Sequence, residues 1–124
     1  MLADFPAIAV IPASDIDRAK RFYRDTLGLK LTVDEGEDVR FESGGQVFTL
    51  YATPSGGQAA HTLAAWKVDD LAAEMAELRG RGVRFEEYDM PGLKTVDGVA
   101  ATGGVRGAWF KDSEGNILAV VQEV

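Results

Sequence analysis

One pattern of strand, polar turn, helix and further strands occurs twice in this chain, and the repeat constrains the fold more than any other feature. The second copy begins 55 residues after the first, so that Ile8-Ala-Val-Ile-Pro-Ala-Ser14-Asp15-Ile16 corresponds to Leu63-Ala-Ala-Trp-Lys-Val-Asp69-Asp70-Leu71. Each half also closes with a glycine turn before its last strand, at Gly44-Gly45 and at Gly115. We expect a duplicated module to create pairs of equivalent positions that face one cavity.

The first copy predicts a strand, a helix and three more strands. Ile8 to Ile11 is short, apolar and β-branched, which suits a buried strand. Ser14 is placed to cap the helix that follows, and Gly28 is its expected stop. Strands are expected at 30–34, 38–43 and 46–53, separated by glycine turns.

The second copy predicts the same order. A strand over 61–68 leads to a helix capped by Asp69, with Leu71, Met75 and Leu78 on its buried face. Strands are expected at 83–88, 105–111 and 116–122. The segment 89–103 is long for a hairpin and is interpreted as a lid or binding loop.

The length of 124 residues predicts a single domain over 1–124. Its first module covers about 5–53, its linker about 54–60 and its second module about 61–124, because Thr53-Pro54-Ser55-Gly56-Gly57-Gln58 has the composition most typical of a linker in the chain.

Charge and composition exclude several classes of function. A formal net charge of -7 argues against nucleic acid or an anionic membrane surface as a partner, because like charges repel. The chain contains no cysteine, which excludes disulfides, thiolate nucleophiles and zinc–thiolate sites. No apolar stretch is long enough to span a membrane, and no signal peptide is visible. We therefore expect a cytoplasmic protein.

Four motifs, in this order and spacing, carry a resemblance to a known family: Ser14-Asp-Ile-Asp-Arg-Ala-Lys-Arg-Phe-Tyr23, Leu27-Gly-Leu29, Val68-Asp-Asp-Leu71 and Phe110-Lys-Asp-Ser-Glu-Gly-Asn116. The chain resembles the vicinal oxygen chelate superfamily, which contains glyoxalase I, extradiol dioxygenases and bleomycin-resistance proteins. The resemblance implies an α+β fold of two βαβββ modules, whose paired curved mixed sheets surround a shared cavity. It also implies a homodimer.

Metal-dependent members of this superfamily typically hold a divalent ion with a His on the first strand of each module and a Glu or equivalent on the last. The resemblance assigns these four positions to Ile8, Thr49, Leu63 and Ala119. Only the hydroxyl of Thr49 could act as a ligand, and it is a weak one. The resemblance therefore predicts that the metal site is lost and that the chain has no cofactor.

Histidine and tyrosine are the first candidates for contact with a ligand. His61 is the only histidine of the chain and is expected on the same strand face as Leu63. It is interpreted either as a shifted metal ligand or general base, or as a histidine at a strand start that contacts solvent or backbone. Tyr51 shares strand parity with Thr49, which would place its hydroxyl where it can orient a ligand.

Two further candidates lie in the second half. Trp109 and Phe110 are adjacent, so only one of them can face the cavity, and Trp66 has the parity expected for packing against a helix. Lys94 lies in the apolar, glycine-containing stretch 91–98, where it could close over an anionic group of a ligand. It could equally be a solvated residue or a dimer contact.

The preferred prediction is a metal-independent protein that binds a small apolar or aromatic molecule, as bleomycin-resistance proteins do. Its predicted ligand-binding residues are Ile8, Thr49, Tyr51, His61, Leu63, Lys94, Trp109 and Ala119. Two other hypotheses about the function stay open. One is a glyoxalase-type lyase or a dioxygenase with a shifted site around His61, Thr49 or Tyr51, and the other is a dimeric module whose cavity is filled by its own side chains.

Overall fold

Each half of the chain forms a four-stranded mixed sheet with a helix on one face, in agreement with the α+β prediction of two βαβββ modules. A computed structural model describes all 124 residues, Met1–Val124. The chain divides into two compact units, Met1–Gly56 (unit 1) and Gly57–Val124 (unit 2). Neither helix has the length and apolar character that crossing a bilayer would require.

Unit 1 contains one helix and four strands. They are β1 (Ala9–Ala13), α1 (Ile16–Arg21), β2 (Lys30–Glu35), β3 (Asp38–Ser43) and β4 (Gln46–Ala52), with a 3-10 turn over Leu2–Asp4 and a π-helical turn over Phe22–Thr26 that continues α1. The sheet order is β1-β4-β3-β2. Strand β1 runs parallel to β4, and the other pairs are antiparallel.

The ends of α1 depend on two residues. Asp15, not Ser14 as predicted, is the N-cap, and its carboxylate accepts a hydrogen bond from the Arg18 amide at 3.1 Å. Asp15 still has extended backbone angles, so the chain becomes helical one residue later than expected. Gly28 follows the helix with a φ of 72°, a left-handed conformation that favours glycine, and this confirms the predicted stop.

Aromatic side chains form the core of unit 1. Tyr23 is fully buried, and its ring lies 5.9 Å from that of Phe41 and 5.5 Å from that of Phe48. The buried residues at the middle of β3 and β4 are Val39, Phe41, Phe48 and Leu50, and they alternate with exposed or half-buried ones. The opposite face of this sheet therefore carries no helix.

Unit 2 contains one helix and six strands: β5 (Thr62–Lys67), α2 (Leu71–Gly80), β6 (Asp89–Met90), β7 (Leu93–Lys94), β8 (Ala100–Thr102), β9 (Val105–Lys111) and β10 (Ile117–Glu123). Its sheet has the order β5-β10-β9-β8, and β6 and β7 form a separate hairpin. The N-cap of α2 is Asp70, which accepts a hydrogen bond from the Ala73 amide at 3.1 Å. The prediction of Asp69 as the cap was wrong by one residue, for the same reason as in α1.

The predicted strand over 83–88 is not present as a strand. Only Phe85 pairs with β9, as a single bridge to Phe110, and the Glu86 amide donates to the Trp109 carbonyl at 2.8 Å. The chain then turns away, because the amide of Tyr88 donates to the hydroxyl of Thr95 rather than to β9. The fourth strand of the sheet is instead β8, which returns to pair with residues 105–107.

The segment 89–103, interpreted above as a lid or binding loop, contains the short strands β6, β7 and β8, which tight turns join. Gly92, with a φ of 81°, follows Pro91 in the turn of the β6–β7 hairpin. Asp97 and Gly98 both have positive φ in a second turn, which the bridge between Val96 and Val99 closes. Glu87 holds this second turn in place by accepting a hydrogen bond from the Gly98 amide at 2.6 Å.

The helix of unit 2 packs on one face of its sheet. Leu71 and Met75 are buried as predicted, whereas Leu78 is only half-buried. Gln122 accepts a hydrogen bond from the Leu71 amide at 2.8 Å, which shows that the even-numbered side chains of β10 face α2. On the same face Trp66 stacks on the buried Phe110, with ring centroids 6.5 Å apart, as its parity predicted.

Candidate ligand-binding faces

We call the side of each sheet that carries no helix its helix-free face. In unit 1 the residues of this face alternate with the buried ones. Those that matter here are Val10 on β1, Arg40 on β3, and Val47, Thr49 and Tyr51 on β4. Ile8 lies immediately before β1.

The helix-free face of unit 1 exposes large apolar side chains. The exposed fractions are 53% for Ile8, 56% for Val10 and 57% for Tyr51. Val47 is also exposed. Isolated exposed apolar residues are ordinary, but a contiguous group on one sheet face is typical of a binding surface. The predicted contacts Ile8 and Tyr51 both belong to this surface.

Thr49 lies in the middle of this face. It pairs with Val10 on one side and with Arg40 on the other. Its hydroxyl donates a hydrogen bond to the Val39 carbonyl at 3.2 Å. The proton of Thr49 is therefore committed to the sheet, and only its oxygen lone pairs could contact a ligand.

Arg40 is the charged residue of this row. Its guanidinium donates from Nε to Asp38 Oδ1 at 2.9 Å and from Nη2 to Asp38 Oδ2 at 3.1 Å. Both side chains are about half exposed, with 49% and 42% of their surfaces accessible. The sequence reasoning did not single out Arg40, although its alternation with Val39 and Phe41 is visible in the sequence.

The equivalent row of unit 2 contains Ala65, Ala119 and Trp109, paired across β5, β10 and β9. Ala119 is buried, and Ala65 is exposed. Leu63 lies at a register shift, since Thr62 pairs with Ile117 whereas Ala64 pairs with Leu118. This irregularity interrupts the alternation that a regular strand would have.

His61 does not lie where the sequence predicted. It precedes β5, which begins at Thr62, and its side chain is exposed. Because His61 is outside the strand and Leu63 lies in the irregularity, the argument that both share one strand face was wrong. Whether His61 contacts a ligand remains a prediction.

Trp109, rather than Phe110, lies on the helix-free face of unit 2. Its indole meets the ring of Tyr88 edge to face, with centroids 5.8 Å apart and an interplanar angle of 80°. It also lies along the strand toward Gly107, where an added Cβ would be 3.5 Å from the indole Cη2. The sequence did not indicate a site role for Tyr88, because a regular strand was predicted over 83–88. Only the turn at Thr95 brings Tyr88 to Trp109.

Burial and the nearby negative charge of Glu86 raise the pKa of Tyr88, burial being the larger cause. The phenol therefore keeps its proton at neutral pH and remains a hydrogen-bond donor. Lys94 lies on β7 opposite Asp89 and is exposed. It is thus held on a short hairpin rather than on a free loop.

A family model described as the Glyoxalase/Bleomycin resistance protein/Dioxygenase superfamily matches residues 6–120. The chain belongs to this superfamily. Its membership agrees with the vicinal oxygen chelate resemblance of the motifs. No curated protein sequence matches the chain significantly.

Solved structures of superfamily members share the fold. The chain is 25% identical to TnmS3, an antibiotic binding protein from Streptomyces sp. CB03234, with a TM-score of 0.73 and coverage of 97% of this chain and 98% of that one. A lactoylglutathione lyase from Agrobacterium tumefaciens is 21% identical, with a TM-score of 0.68 and coverage of 95% and 92%. The fosfomycin resistance protein FosX from Listeria monocytogenes is 10% identical, with a TM-score of 0.71 and coverage of 97% and 93%. At the identities of the last two, the likeness shows the fold alone.

The residues at the four positions that the motif resemblance assigns to metal ligands do not fit a divalent ion. Ile8, Leu63 and Ala119 have no donor atoms in their side chains, and the hydroxyl of Thr49 is bonded to Val39. Within either unit, no group of three or more His, Cys, Asp or Glu side chains lies close enough together to hold a metal. The donor chemistry that a bound metal needs is therefore missing from these positions.

Proposed function

We propose that this superfamily member binds a small apolar or aromatic molecule without a metal ion, in the cavity that membership of the superfamily implies, and releases it unchanged. The observation that carries the proposal is the exposed apolar surface formed by Ile8, Val10, Val47 and Tyr51 on a sheet face without a helix. Covering such a surface with an apolar molecule is favourable by about 25 cal/mol for each Å² removed from water.

Unit 2 supports the proposal with a different kind of surface. Ala65, Ala119 and Gly107 have little or no side chain, so their strands form a flat area beside the indole of Trp109. Aromatic rings bind well against such a wall, since they bury a large area and stack at low entropic cost. The name of TnmS3 as an antibiotic binding protein is consistent with this role.

The chemistry that an enzyme of this superfamily would perform finds no support in either unit. His61 is exposed ahead of its strand, Thr49 has committed its proton, and no carboxylate lies among the four metal positions. Sequestration requires none of these groups. Lys94, His61 and Leu63 stay predicted contacts whose roles depend on the ligand.

The test is a thermal-shift screen with naphthalene derivatives on protein treated with EDTA. A bound ligand raises the melting temperature because it binds the folded state alone. The shift should be greatly reduced in Tyr51→Ala, and it should persist in Phe5→Ala, which removes another exposed aromatic ring outside both sheets. A screen in which no aromatic compound raises the melting temperature would favour the module with a filled cavity.

We also propose that the chain forms a homodimer, as its superfamily membership suggests. Two copies could shield part of the exposed apolar surface from water. Sedimentation velocity at micromolar concentration should give a mass close to twice 13.3 kDa. A monomer at all accessible concentrations would contradict the proposal.

A further inference from the structure

Arg40 is a charged side chain whose row across the sheet also contains Thr49 and the exposed apolar Val10. Its strand neighbours Val39 and Phe41 are fully buried toward the helix, so Arg40 projects from the helix-free face of unit 1. Across the sheet it pairs with Thr49, which in turn pairs with the exposed Val10. An arginine in this row is not needed for packing.

Only one of the two donor edges of the Arg40 guanidinium is hydrogen-bonded to protein. Asp38 occupies the edge formed by Nε and Nη2, at 2.9 and 3.1 Å. The second edge, formed by Nη1 and the remaining hydrogen of Nη2, donates to no protein group. Because a guanidinium carries five N–H donors in a rigid plane, this edge is prepared to bind an oxygen acceptor at little entropic cost.

In the internal repeat, Arg40 of unit 1 occupies the position that Trp109 occupies in unit 2. Arg40 pairs with Thr49 in unit 1 as Trp109 pairs with Ala119 in unit 2, and Thr49 and Ala119 are equivalent positions of the repeat. One module thus presents an indole at this position and the other a fixed hydrogen-bond donor.

We propose that the bound aromatic molecule carries an oxygen acceptor, either a carboxylate or a carbonyl on its ring. The free edge of Arg40 recognises this oxygen. This inference rests on the proposed function. Asp38 already neutralises the positive charge of Arg40, so a neutral carbonyl suits the site as well as a carboxylate does. Hydrogen bonds from a charged donor are stronger than those between neutral groups. The oxygen would therefore determine which aromatic molecules bind tightly.

The experiment compares three probes of nearly equal shape by isothermal titration calorimetry: 2-naphthoate, 2-acetylnaphthalene and 2-ethylnaphthalene. The last has the carbon skeleton of the second but lacks the oxygen. We expect the two oxygenated probes to bind about tenfold tighter than 2-ethylnaphthalene, as one charge-assisted hydrogen bond allows. The relative affinities of 2-naphthoate and 2-acetylnaphthalene then tell a carboxylate ligand from a carbonyl ligand.

The variant Arg40→Met keeps the apolar stem and removes the guanidinium. It should abolish the advantage of the oxygenated probes and leave the affinity for 2-ethylnaphthalene unchanged. Asp38→Asn combined with Arg40→Met should behave in the same way, which separates loss of recognition from the effect of an unpaired Asp38. Arg84→Met makes the same chemical change at another exposed arginine and should preserve the advantage.

Two outcomes would overturn the inference in different ways. If all three probes bind native protein equally, or if Arg40→Met retains the preference, the proposed binding function stands and the role of Arg40 is wrong. If none of the three probes binds, the proposed function itself fails for aromatic molecules, and the inference fails with it.

Discussion

Tyr88 and Trp109 meet edge to face in unit 2, with their ring centroids 5.8 Å apart, although 21 positions separate them in the sequence. The contact depends on Thr95, whose hydroxyl accepts from the Tyr88 amide at 2.8 Å and donates to the Tyr88 carbonyl at 3.3 Å. The indole of Trp109 is thus held between Tyr88 and the strand position of Gly107. A wall of a ligand site benefits from such a fixed orientation.

Loss of the Tyr88 ring should loosen Trp109. In a Trp66→Phe background, where Trp109 is the one remaining tryptophan, Tyr88→Ala should shift the indole emission to longer wavelength. It should also lower the free energy of unfolding by about 1–3 kcal/mol, because a partly buried aromatic contact is removed. Tyr88→Phe keeps the ring and should leave the emission unchanged. Identical spectra for all three proteins would show that Tyr88 does not position the indole.

The pKa of Tyr88 predicts a loss of stability at alkaline pH. Since burial and Glu86 raise this pKa, the folded protein holds the phenolic proton more tightly than the unfolded chain does. The resulting stability is present below the unfolded pKa of about 10 and is lost as the pH rises through the folded pKa. Urea unfolding at about pH 9 and about pH 11 should show a larger decrease for the native protein than for Tyr88→Phe. Equal decreases would contradict the raised pKa.

Gly57 should not tolerate a side chain. It has a φ of 76°, and a Cβ built on it would overlap the carbonyl oxygen of Glu114. Gly57→Ala therefore combines backbone strain with a steric clash, and we expect it to lower the free energy of unfolding by about 2–4 kcal/mol. Gly36→Ala is the matched control, because Gly36 also has positive φ but has open space around it. If both variants lose the same stability, strain alone explains the effect and the clash with Glu114 is relieved.

The turn before β10 depends on Asp112. Its Oδ1 accepts hydrogen bonds from the Glu114 and Asn116 amides at 2.9 Å, and its Oδ2 accepts from the Asn116 side chain at 3.0 Å. Asp112→Ala leaves these donors without that partner, so a loss of about 2–4 kcal/mol is expected in chemical denaturation. Ser113→Ala should cost nothing or stabilise, because the Ser113 hydroxyl is buried without a hydrogen-bond partner. A larger loss for Ser113→Ala than for Asp112→Ala would refute this assignment.

The sequence predicted the architecture well because the repeat and the alternation of apolar residues follow from local periodicity. The strand at 38–43 and that at 105–111 have the bounds that alternation indicated. The helix caps were displaced by one residue, since both Ser14 and Asp69 precede a second residue that can also cap. Which of the two residues caps the helix depends on where the preceding strand ends, and hydrophobic periodicity does not indicate that position.

The site was predicted less completely than the fold. The placement of Thr49 and Tyr51 on one face of β4 followed from their parity, whereas their contact with a ligand stays a prediction. Strand parity does not apply to His61 and Leu63, because His61 precedes β5 and the pairing of β5 with β10 is irregular at Leu63. The contact of Tyr88 with Trp109 depends on the turn at Thr95, and no single segment of sequence carries that information. The face of Arg40, in contrast, follows from its alternation with Val39 and Phe41.

Calorimetric titration of one probe under two conditions tests whether this protein binds its ligand without a metal ion. The probe is 2-acetylnaphthalene, added to protein stripped with EDTA and to protein supplied with zinc. We expect the same dissociation constant and a stoichiometry near one ligand per site in both samples, with the probe recovered unchanged. Binding that appears only with zinc, or a probe that is chemically converted, would contradict it.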